Sequence, residues 1–165
     1  MRSVSLALIL MTFGTVCEAA QSGKPSWYSE SSEHRATLFY GIYGTDDVGF
    51  HVSCNRDNGT IELIPSLKEV GLKTGEVAKV SLSTKTDLVE FEGRVFLNEE
   101  SGDNNISIKA DSVRALRGLF LKAALLTITL PNDLYVLPIG PRAITSFASF
   151  EKYCSPSNPA AATQK

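Results

Sequence analysis

Two cysteines, Cys54 and Cys154, are separated by most of the chain, and a bond between them would tie its end back to its first half. Whether they can bond depends on the compartment, and the start of the chain speaks to that. Met1–Ala20 reads MRSVSLALILMTFGTVCEAA, with one cation, Arg2, followed by an uncharged apolar run from Val4 to Val16. A membrane-crossing helix needs about 20 apolar residues, whereas a leader needs roughly 7–15 before small residues at its cut. Cys17-Glu18-Ala19 supplies those small residues, so residues 1–19 are expected to be a signal peptide cleaved after Ala19 or Ala20. Branched Val16 before Cys17 argues against a lipid anchor. The third cysteine, Cys17, leaves with the leader, and an even pair in an exported chain reads as one disulfide. Closing a loop of about 100 residues is worth on the order of 4–5 kcal/mol in the chain-entropy model.

Removing residues 1–19 from a chain of 165 leaves 146, an ordinary size for one domain with its own core. Arg2 and Glu18 leave together, so the net charge stays at −2. A near-neutral mixed surface offers no footprint for nucleic acid or anionic lipid, which favour basic clusters. No transmembrane segment is expected in the mature chain, because Lys122 and two threonines interrupt the densest apolar stretch, Leu119–Leu130.

After a polar lead-in over residues 20–34, alternation takes over. In 35–43, Leu38, Tyr40 and Ile42 oppose Phe39 and Tyr43. The clearest strand follows, with Val48, Phe50, Val52 and Cys54 on one face and Gly49, His51 and Ser53 on the other, the period of two that marks a half-buried strand. Asn58-Gly59 signals a two-residue hairpin turn, with 60–64 returning. Further strands are expected at 76–83, 88–97 (Val89, Phe91, Val95 and Leu97 inward), 106–110, 125–130 and 134–139. Two helices interrupt them. Asp111 or Ser112 caps a short one in which Val113, Leu116 and Phe120 share a face. Gly140-Pro141 opens a C-terminal one whose Ala143, Phe147, Phe150 and Cys154 form a stripe. The fold class is therefore mainly β: an antiparallel β-sandwich-like domain over residues 35–154, with one short helix and a C-terminal helix pinned by Cys154. A disordered tail, 155–165, is expected to follow.

Candidate chemistry is sparse. His51 and Ser53 share a strand face behind Asp46 and Asp47, yet a hydrolytic site needs a nucleophile within hydrogen-bond reach of the base. Residues two apart on a strand do not meet that condition. A hydrolase assembled from distant residues near His51 is the alternative reading, and no catalytic residue is assigned. Two distant histidines, His34 and His51, do not make a zinc site, and the Glu99–Asn105 loop has calcium-type oxygens without EF-hand spacing. No metal or cofactor is expected. Asn58-Gly59-Thr60 and Asn105-Ile106-Ser107 are glycosylation sequons, meaningful only in a eukaryotic host. Trp27 and Tyr28, adjacent in a polar segment, read either as a recognition element or as a strap folded onto the core; with His51 they are the candidate interaction residues.

The closing half carries a resemblance. Asp111, Leu116 and Gly118, then Leu126-Thr127-Ile128, then Leu137-Pro138-Ile139-Gly140 with Ala143 and Phe147, resemble the last part of exported proteobacterial proteins similar to invasion-associated locus B protein. The likeness spans about 45 residues of mostly apolar motif. It implies a periplasmic or secreted β-rich domain without enzymatic activity, tied to host interaction or envelope function, and carries over no site residues. The expectation is a binding domain for an unknown protein or envelope component.

Overall fold

Alternating sequence becomes alternating burial along the strands. In Val48–Asn55 (β3), Phe50, Val52 and Cys54 are buried while His51 and Ser53 between them are half-exposed. The computed structural model describes residues 23–65 and 71–155 of the protein. Nine strands occupy them: Ser26–Ser31 (β1), Arg35–Gly41 (β2), β3, Ile61–Pro65 (β4), Val77–Ser83 (β5), Leu88–Leu97 (β6), Asn104–Ala110 (β7), Leu125–Thr129 (β8) and Leu134–Pro138 (β9). The expected leader, residues 1–19, lies outside the described residues, as does all of the expected tail except Ser155.

The strands form one sheet in the order β1-β2-β3-β4-β7-β6-β5-β8-β9, with every neighbouring pair antiparallel. The sheet is curled into a half-barrel, and this corrects the expected sandwich. Alternation reveals that one face of each strand is buried but not what buries it. Here helices take the place of a second sheet. A 3-10 turn, Val113–Leu116, runs into a short helix, Arg117–Leu121 (α1), and Pro141–Cys154 (α2) closes the chain. Leu116, Leu119, Phe120, Phe147 and Phe150 from these pieces meet Leu38, Phe50, Leu63, Val80, Leu82, Ile106, Ile108, Leu126 and Ile128 from the strands in one core.

The residues expected to shape α2 do so. Pro141 stands in its first turn, where a missing N–H costs nothing, and Ala143, Phe147 and Phe150 are buried. Cys154, in its last turn, is bonded to Cys54 of β3, with Cα atoms 5.9 Å apart.

The segment read as a polar lead-in contains β1, an edge strand in register with β2 from Ser26↔Gly41 to Ser31↔Ala36. Its Trp27 is 3% exposed. The Trp27 ring lies edge-on to Phe50 and Phe120 and tilted to Tyr40, with centroids 5.1–5.9 Å away. Its indole N–H donates to the carbonyl of Pro138 at 2.7 Å, across 111 residues, so the two edge strands β1 and β9 meet at this side chain. Ser146 of α2 donates to the Trp27 carbonyl at 3.4 Å, placing the helix over the same seam.

The β3–β4 turn also differs from expectation. It is a five-residue loop, 56–60, closed by Asn55 N–H to Thr60 O and Gly59 N–H to Asn55 O, both 2.9 Å. Gly59 takes a positive φ of 70°, and Asn58 Oδ1 accepts from both the amide and the hydroxyl of Thr60. The Asn-Gly pair marks the turn, but those Asn58 side-chain bonds occupy residues that a two-residue hairpin would place in the returning strand.

Gly93, mid-β6, has a close-packed reason to be glycine. A Cβ there would lie 2.3 Å from Ile106 Cγ2 and 3.2 Å from Ile108 Cγ1. Gly93→Ala is therefore expected to destabilise the fold by about 1–3 kcal/mol through overpacking. A urea midpoint equal to that of the parent would show that the β6–β7 contact yields freely.

Candidate functional site

Strand alternation sends Trp27 and Tyr28 to opposite faces of β1: Trp27 into the core, Tyr28 onto the convex outer face. Trp27 is thus a packing residue, as the strap reading has it, and offers no exposed ring as the recognition element would need. Tyr28 acquires neighbours that were not assigned to it from sequence. It is in register with Phe39 of β2, Phe39 with His51 of β3, and His51 with Ile64 of β4. Tyr28 and Phe39 stack at 5.0 Å and 20°, and Phe39 and His51 approach at 6.1 Å. Tyr43, 70% exposed in the β2–β3 turn, stands edge-on to Tyr28 at 5.2 Å. A cross-strand row of four half-buried side chains, extended by Tyr43, thus crosses the outer face. Phe39 and Ile64 were absent from the sequence-derived set; their phase in the alternation was the available signal.

The row is uncharged at neutral pH. Burial pushes the Tyr28 phenol above its ordinary value, helped by Glu30 and Tyr43. Burial also pushes the His51 imidazole below its ordinary value; Arg35 acts in the same direction and Glu62 opposes them. Folding therefore favours neutral His51, and the unfolded chain takes its proton more readily. That contribution to stability is fully present above the ordinary imidazole value, about 6.5, and is lost as pH falls through it. The loss of urea resistance between pH 7.5 and 5.5 is expected to be smaller in His51→Phe than in the parent. An equal loss in both would place the acid sensitivity elsewhere.

The geometry around His51 gives a base nothing to activate. Asp46 and Asp47 lie in the exposed β2–β3 turn, where their carbonyls accept from Val48 and Ile42 at 2.9 Å. Among the described residues no hydrogen bond or ion pair joins His51 to Asp46, Asp47 or Ser53. Nor do any three His, Cys, Asp or Glu side chains converge there as metal ligands. Of the Glu99–Asn105 segment, residues 99–103 lie in the β6–β7 connection, tied by Gly102 N–H to Asn98 O and Asn98 N–H to Asp103 O at 2.8 Å, and Asn104 and Asn105 open β7. Asn58 is exposed, whereas Asn105 of the second sequon is buried in β7.

A concavity of about 770 Å³ lies between Tyr28, Tyr43 and Arg142 of α2, and two more flank these elements. One, of about 740 Å³, lies beside the disulfide, with Arg56, Arg114, Tyr153 and an Arg117–Glu151 pair at 3.6 Å. The other, of about 690 Å³, continues the outer face beyond Ile64, over Val77, Arg94 and Phe96. The aromatic row runs into this second groove. No family model, curated protein or solved structure matches the chain. The arrangement of residues is therefore what speaks to function. An uncharged, partly desolvated row of three rings and Ile64 offers stacking and apolar contact to a partner. No helix among the described residues is long and apolar enough to cross a membrane.

Proposed function

We propose that this chain is an exported, non-enzymatic binding domain, periplasmic or secreted, that holds a protein or envelope component against the row Tyr28–Phe39–His51–Ile64. The observation that carries the reading is the row itself: four apolar or neutral side chains in direct register on the outer face, with ring contacts at 5.0 and 6.1 Å. Rings of this kind, held by their neighbours, supply contact area at low ordering cost and dominate interface energetics. The Cys54–Cys154 bond supports export, since such bonds persist in oxidising compartments. The leader-like residues 1–19 and the resemblance to invasion-associated locus B proteins point the same way.

Two measurements test it. Protein recovered from its native host is expected to begin at Ala20 or Gln21 and to show two thiols only after reduction; a mass retaining Met1 with free thiols removes the export half. For the binding half, Phe39→Ala is expected to weaken a saturable partner from envelope extract by about 2 kcal/mol, roughly thirtyfold, with the melting transition kept. Equal capture by the parent, Phe39→Ala and Tyr28→Ala would remove the row from the interface.

A further inference from the structure

Beyond the aromatic row, the outer face of β5, β6, β7 and β4 carries a second pattern, written in charge. Lys79 of β5 is in register with Glu92 of β6, and Lys109 of β7 with Glu62 of β4. Because Gly93 pairs with Ile108, Glu92 and Lys109 are neighbours across β6 and β7. Read across four strands, Lys79, Glu92, Lys109 and Glu62 alternate plus, minus, plus, minus. Lys79, Glu92 and Lys109 are exposed, and Glu62 is half-buried with the Ser107 hydroxyl donating to it. Among the described residues none of the four takes part in an ion pair.

Two residues along each strand lies a companion row. Val77 is in register with Arg94, Arg94 with Ser107, and the Leu63↔Ile108 pairing sets Ile64 beside Ser107. Val77 is 58% exposed, and with Ile64 and Phe96 it lines the groove of about 690 Å³.

A row that alternates in this way is its own complement when turned end for end. A two-fold axis lying in the plane of contact, parallel to the strands and passing between β6 and β7, sets Lys79 of one copy against Glu62 of the other and Glu92 against Lys109. The same rotation lays Val77 on Ile64 and brings Arg94 opposite Ser107. Both rows match under one operation, whereas an axis along the charged row would set like on like. We infer that this face is an isologous interface and that its partner is a second copy of the chain. Charge fixes the register, while Val77, Ile64 and Phe96 supply apolar burial. The curl of the sheet carries the flanking strands away, so the contact spans four strands and the dimer is weak and salt-sensitive. Ile64 is common to both surfaces, but Tyr28, Phe39 and His51 lie on strands outside the contact, and the charged row that fixes the register contains no member of the proposed partner row.

Sedimentation equilibrium of the mature, oxidised chain tests it. The parent is expected to be a reversible dimer whose dissociation constant rises with salt. Glu92→Lys opposes like charges at both symmetric contacts and is expected to weaken the dimer about tenfold or more, as is Lys109→Glu on its own. The combined Glu92→Lys/Lys109→Glu chain restores opposite signs at every contact and is expected to return most of the affinity. Each reversal also sets like charges opposite each other within the sheet, so a melting transition lowered by a few degrees is expected in all three, and a single cooperative melt shows that each still folds. A monomeric parent, a dimer indifferent to either single reversal, or a double reversal no better than the singles would each overturn the inference. Phe39→Ala is expected to leave the dimer unchanged.

Discussion

Trp27→Ala is expected to lower the stability of this protein by about 4 kcal/mol, near the upper end for loss of a buried aromatic. The ring is 3% exposed and touches Tyr40, Phe50 and Phe120, so its removal leaves a cavity bounded by strands on one side and α1 on the other. The same substitution leaves the Pro138 carbonyl without its indole donor. Trp27→Phe separates the two contributions. It keeps most of the ring contact and removes the donor, and is expected to cost about 1–2 kcal/mol. Urea unfolding followed by far-UV circular dichroism gives both values. A loss below about 1 kcal/mol for Trp27→Ala would mean that the seam between β1 and β9 closes without its clasp.

Breaking the bridge is the second large effect. The double substitution Cys54→Ala/Cys154→Ala is expected to cost about 4–5 kcal/mol, because the unfolded chain regains the freedom of a loop of 100 residues. The folded state has its own hold on α2: Ala143, Phe147 and Phe150 stay buried, and Phe147 stacks on Phe120 at 4.6 Å. The variant should therefore fold, with a lower urea midpoint and a slope at least as steep as the parent's, since the freed unfolded chain exposes more surface. Reducing the parent at neutral pH should reproduce the shift. A shift under about 1 kcal/mol would show that the unfolded chain is already compact enough to keep the two ends close.

The contrast between what was legible and what was not follows from how far each signal reaches. β3 was legible because Phe50, Val52 and Cys54 alternate with His51 and Ser53, a pattern contained in seven consecutive residues. α2 was legible because Pro141 and the Ala143–Phe147–Phe150 stripe are equally local. The half-barrel was not, since the seating of β4 beside β7 and of β5 beside β8 depends on partners dozens of residues away. β1 was missed because its serines and Glu30 mask an alternation visible only through Trp27 and Tyr28. Once Ser26–Ser31 is a strand, those adjacent aromatics must part: one becomes core, the other joins Phe39 and His51 outside. The outer row needs the register of four strands, which no single segment encodes. Leu97 shows the reverse limit. It keeps the inward phase of Val95, yet it is 50% exposed because β6 has run past its cover.

Trp27 is also the only tryptophan in the chain, and this gives the seam an optical signature. Near-ultraviolet excitation at the red edge selects a single indole, shielded by three aromatic rings and hydrogen-bonded to Pro138. Parting β1 from β9 admits water to that ring and shifts its emission to longer wavelength, while the middle of the sheet can still be paired. Emission followed beside circular dichroism in one titration therefore times the opening of the half-barrel against the melting of its strands. Superimposed curves would describe a sheet and helices that come apart as one cooperative unit; an earlier emission shift would describe a shell that unlatches before it unravels.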